Sequence, residues 1–139
     1  MPIKRIALAS LAVIMALWSV PNPARASYSR VTKTFTVTAG TPVQVVSQQP
    51  TVADEVIIQP VAGATVGLVY VMAGVYNHTP SVSSGTDVTA QLCAATSTAP
   101  GCTYTDGTLG QPSTGIDVGS IWLDVATTGT KVSVSYQPR

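Results

Sequence analysis

The residues able to do chemistry are few. His78 is the only histidine, and it lies in the polar stretch Asn77-His78-Thr79-Pro80. A lone histidine serves as a general base only beside a group that orients it, and a solitary loop histidine is usually just solvated. Asp54 and Glu55 are adjacent. On an extended strand they point to opposite faces, so they cannot flank one scissile bond as a glycosidase pair does. Asp106 precedes Gly107 and reads as a turn residue. Asp87, Asp117 and Asp124 remain. Brought together by the fold and helped by loop carbonyls they could hold calcium, but their spacing is not that of an EF-hand. There is no Gly-x-Ser-x-Gly elbow and no glycine-rich phosphate loop. The expectation is therefore a non-enzymatic protein with no catalytic residue, no metal and no cofactor.

Cys93 and Cys102 are the only cysteines, and Ala94 to Gly101 between them read as a loop. In an oxidising compartment such a pair closes one disulfide. The alternative is two free thiols. Zinc would need about four ligands, and two Cys and one His do not supply them. The spacing is also not the Cys-x-x-Cys of redox proteins.

Three aromatic residues are candidate contacts for a partner surface or a sugar: Trp122, Tyr76 and Tyr104. Trp122 alternates with Ile121 and Leu123 and so faces away from them, either exposed or packed under a neighbouring loop. Thr32, Thr34, Thr36 and Thr38 form a regular row that could meet ice or sugar, but one strand is not an array, and threonine is ordinary on a solvated strand face.

These side chains must be positioned by strands. Val31, Lys33, Phe35 and Val37 alternate with the threonine row. Val43 to Val46 resumes the alternation, Gln48 to Asp54 reads as a connection, and Glu55 to Gln59 is a short strand stopped by Pro60. Val66 to Met72 is expected to be a central strand. Asn77 to Gly85 reads as a loop, Val88 to Leu92 and Thr103 to Thr105 as strands, and Gly110 to Gly119 as a loop. Ile121–Val125 and Lys131–Tyr136, joined at Thr127-Thr128-Gly129-Thr130, are expected to form a terminal hairpin. Seven or eight short strands without a helical hydrophobic period make an all-β chain, an antiparallel β-sandwich or jelly-roll-like fold.

Ahead of these strands stands a segment of different character. Lys4 and Arg5 precede an apolar run from Ile6 to Val20, Pro21 and Pro23 follow, and Ala24-Arg25-Ala26 matches a signal-peptidase site. This predicts a helical secretory signal over residues 1–26, cleaved after Ala26, and a single β-sandwich domain over 27–139. The run is shorter than the roughly 20 residues that span a bilayer. The expected location is exported: periplasmic, cell-surface or extracellular. Residues 27–139 carry four basic against six acidic side chains, a net charge of −2. Such a charge offers no electrostatic footprint for nucleic acid or an anionic membrane. A surface of Thr, Ser and Gln with few charges suits a protein that contacts copies of itself or a surface partner.

The run Asp117-Val118-Gly119-Ser120-Ile121-Trp122-Leu123-Asp124-Val125, followed by Gly129 to Tyr136, resembles the C-termini of small β-sandwich virion proteins of tailed bacteriophages. Thr36 to Val45 looks like their opening strands, and Val56-Ile57-Ile58-Gln59-Pro60 like the next. The resemblance implies a structural role in a capsid, tail or decoration layer, and self-association or contact with another virion or surface protein. It carries no functional residues. This chain departs from the pattern in having a leader-like segment and a cysteine pair, which such virion proteins normally lack.

Overall fold

The computed structural model describes residues 29–47, 51–107 and 115–139. The expected signal segment, 1–26, lies outside the described residues. Among the described residues nine strands follow one another: β1 Val31–Val37, β2 Val43–Gln44, β3 Val52–Pro60, β4 Val69–Met72, β5 Ala90–Leu92, β6 Tyr104–Gly107, β7 Ile116–Asp117, β8 Trp122–Val125 and β9 Thr130–Pro138. Short 3-10 turns at Val82–Ser84 and Val118–Ser120 are the described helical segments. No helix among the described residues is long and apolar enough to cross a membrane.

The pairings within the two sheets are all antiparallel among the described residues. One sheet has the order β1-β9-β3-β6, with β7 against the start of β3, and the other has the order β2-β8-β4-β5. Strand β1 is thus paired with β9, β2 with β8, β3 with β6, and β4 with β5. The chain is one long antiparallel hairpin, folded at β4–β5 and rolled so that alternate pairs fall in opposite sheets. That is the jelly-roll form of a β-sandwich.

Alternation along each strand explains the burial. Ala53, Val56, Ile58, Val132, Val134 and Tyr136 from the larger sheet meet Val69, Val71, Leu92, Leu123 and Val125 from the smaller one in a single buried cluster. Each buried Val, Leu or Ile among them contributes about 1.5–3 kcal/mol of transfer free energy. The outward residues of the larger sheet are mostly polar. Thr32, Ser135, Ile57 and Thr105 form one row across four strands, and Thr34, Ser133 and Gln59 form another. Thr32 Oγ1 lies 3.1 Å from Ser135 Oγ.

The structure corrects several sequence expectations. Ile121–Val125 and Lys131–Tyr136 do not form a hairpin, because β8 and β9 belong to different sheets. The turn between them is an arch over the core. Gly129, at φ +91°, donates its N–H to Val37 O, while Ala126 N–H goes to Leu68 O. Positive φ is what favours glycine there. The supposed connection ending at Asp54 instead enters β3 at Val52. Its register shifts between Ala53 and Glu55, and this bulge lets Ala53 and Val56 both reach the core. Asp106 and Gly107 belong to β6 and not to a turn. Ile116–Asp117 and the following 3-10 turn replace the end of the loop expected at Gly110 to Gly119. The central strand expected from Val66 is confined to Val69–Met72, though it does lie inside its sheet, between β8 and β5.

Candidate functional sites on an open edge and a loop cleft

The Thr-rich strand β1 is the outermost strand on its side of the larger sheet. The backbone of β9 shows which way β1 presents its polar groups. Val61 donates to Lys131 O, so Lys131, Ser133 and Ser135 turn their backbone groups toward β3. In an antiparallel ladder successive residues serve opposite sides. Val132, Val134 and Tyr136 therefore serve β1, where they pair with Phe35, Lys33 and Val31. By the same alternation, the N–H and C=O groups of Thr32, Thr34 and Thr36 point away from the sheet. All three threonines are exposed. The other described edge strands are shorter: two residues in β2, three in β5, four in β6 and two in β7.

The second candidate is a cleft of about 310 Å³ lined by Ala73–Tyr76, Asn77, His78, Thr86, Asp87 and Thr89. It is built by the β4–β5 connection. Thr89 Oγ1 accepts from Ala73 N–H, and Ser120 Oγ accepts from Gly74 N–H, which fixes the floor. Asp87 Oδ2 accepts from Ser81 N–H and stands 3.4 Å from His78 Nε2. Tyr76 is 56% exposed beside them. The cleft therefore joins an aromatic face to an imidazole and a carboxylate, two of which the sequence offered as isolated residues.

The other candidates are dispersed. Asp117 caps the Val118–Ser120 turn, accepting from Gly119 N–H and Thr51 N–H. Asp124 is buried and accepts from Gly40 and Val125 N–H. With Asp87 in the cleft, the calcium trio suggested by the sequence does not assemble, and no group of three metal-ligating side chains occurs among the described residues. Asp54 pairs with Arg139, and Glu55 with Arg30. Tyr104 packs against the core with its hydroxyl 3.3 Å from Asp106 Oδ2. Burial raises its pKa above the usual tyrosine value, helped by the Asp106 charge and that hydrogen bond. Trp122 is half-buried on the outer face of the smaller sheet, paired with Gln44 and Met72. Its indole N–H is buried without a hydrogen-bond partner among the described residues.

Cys93 and Cys102 form a disulfide, with Cα atoms 5.1 Å apart. It lies on the β5–β6 crossing, which is also fastened to the end of β3. Gly101 N–H donates to Pro60 O, Gln59 Nε2 donates to Gly101 O and Thr103 Oγ1, and Gly63 N–H donates to Thr96 O. Gly101 is glycine for want of space, since a Cβ there would lie 2.3 Å from Cys93 O.

Compared with known proteins, the chain matches no family model, no curated protein and no solved structure, and so nothing there links it to the virion proteins that its strand pattern resembles.

Proposed function

We propose that this chain is a non-enzymatic structural subunit that builds or coats a surface through contacts with its own copies or a surface partner. The observation that supports this most is the open edge of β1, a seven-residue strand whose Thr32, Thr34 and Thr36 backbone groups face outward. Such an edge is a template for another strand unless it is covered. The adjoining outer face carries Thr, Ser and Gln with little charge, so approaching copies meet little repulsion. The disulfide favours an oxidising compartment, in keeping with the leader-like residues 1–26 and an exported location. A virion or decoration layer is one setting for such a subunit, by the resemblance of strand pattern, and a cell surface is another. Neither needs nucleic acid or a membrane as a partner.

Light scattering with negative-stain microscopy on the oxidised protein, across a concentration series, tests the reading. Rings, discrete oligomers or filaments are expected. A monomer at every concentration, with no partner captured on the parent surface, would overturn it.

The cleft at Tyr76 supports a second reading, a carbohydrate-binding module. An exposed ring can stack on the apolar face of a pyranose, while Asp87 and Asn77 are placed along the same cleft to meet hydroxyls. A glycan array run with and without calcium tests it, and silence in both conditions counts against it.

A further inference from the structure

We infer that the partner of β1 is the β1 of a second copy, paired antiparallel about a two-fold axis at Thr34. This inference rests on the assembly reading and gives it an interface. Antiparallel pairing on a two-fold axis requires a strand that complements its own reverse. Centred at Thr34, the strand Val31–Val37 overlaps its mate along its whole length. Thr34 then opposes Thr34, Thr32 opposes Thr36, Lys33 opposes Phe35 and Val31 opposes Val37.

The backbone fits this register. Thr32, Thr34 and Thr36 are the residues whose N–H and C=O groups point outward. In the proposed register they lie opposite one another, so every outward N–H of one copy meets an outward C=O of the other. The side chains fit as well. Threonine faces threonine on the outer surface, a favourable cross-strand pair, and the four-carbon stem of Lys33 lies against a phenyl ring. Lys33 also selects among registers. Moving the axis one residue to Lys33 sets two ammonium groups opposite each other, and moving it to Phe35 leaves Val31 and Thr32 without partners in the strand. A charged residue at an edge strand is a common guard against indiscriminate pairing. Here it leaves one full-length register open. The result is a sheet continuous across two copies, with the polar outer rows running through the junction.

Thr34→Pro tests the pairing, because the N–H it removes faces the open edge and not β9, and edge strands tolerate proline there. Association should weaken by at least about tenfold, the loss of roughly 1.4 kcal/mol, while thermal unfolding stays cooperative. Amide exchange in the unsubstituted protein gives a readout that does not depend on the variant folding. The Thr32, Thr34 and Thr36 amides should become protected as concentration rises, and the amides of the β2 edge should not. An assembling protein whose three threonine amides stay unprotected, or whose Thr34→Pro variant associates as before, overturns this interface and leaves the assembly reading standing. A protein that neither self-associates nor captures a surface partner overturns both.

Discussion

The sandwich is closed differently at its two sides. Where β5 crosses to β6, the strands are short, and the crossing is fastened by the disulfide, by Gln59 and by the close seat of Gly101 against Pro60 and Cys93. Where β1 turns into β2, no covalent link exists. The corner is held by Gly40 N–H on Asp124, Ala39 N–H on Thr128 Oγ1 and Val45 N–H on Ile121 O. There the longest edge strand among the described residues, β1, has backbone groups facing outward. One side is built to stay shut against the chain's own fluctuations, and the other keeps hydrogen-bonding capacity in reserve. On the assembly proposal, stability and interaction fall to opposite sides of the same two sheets.

Four substitutions probe that division. The largest effect is expected from Gly101→Val, which drives a branched side chain into backbone atoms at the fastened side. A loss of about 3 kcal/mol in denaturant unfolding is expected, with assembly of the remaining folded fraction unchanged. Replacing both cysteines by serine should cost about 2–3 kcal/mol, the loop-closure entropy returned to the unfolded chain. If that pair costs nothing, the two sides are not as different as they look. Next comes Trp122→Phe, one strand in from the β2 edge. It removes a buried N–H that has no acceptor among the described residues, so stability should hold or rise by up to about 1 kcal/mol. A clear loss of assembly on that substitution would move the interface from the edge of β1 to the smaller sheet.

The smallest effect concerns pH. The pKa of Tyr104 is raised in the fold, mainly by burial. Its contribution is complete below the unfolded value near 10 and is lost as pH rises through the higher folded value, because the unfolded state gives up its proton first. Melting temperature compared between pH 9 and pH 11 should fall less in Tyr104→Phe than in the parent protein. An identical fall in both would mean that the hydroxyl is solvated in the folded state.

Much of this was legible in residue order. Alternation along 31–37 and 131–136 identified two strands that the structure contains, and the apolar run at 66–72 marked a strand inside its sheet. The cysteine spacing suggested the bond that forms. The arch at 126–129 was not legible as an arch. Leu123 and Val125 face the same core as Val132 and Val134, so alternation is satisfied whether β8 and β9 pair or face each other across the sandwich. A turn signal says that the chain reverses, not that it stays in one sheet. The cleft was illegible for a related reason. Asp87 reaches His78 through a loop whose return is set by Thr89 and Ser120, and nine residues of separation carry no periodic signal.

Strand β9 follows every other described strand, yet it lies between β1 and β3 in the larger sheet. During synthesis β1 must wait for β9 before it is paired, and β3 lacks one of its two neighbours until residues 130–138 arrive. The core cannot close before Val132, Val134 and Tyr136 of β9 are present. Closure of the larger sheet is thereby deferred until β9 is available, which leaves the earlier strands without their long-range partners and dependent on protection until then.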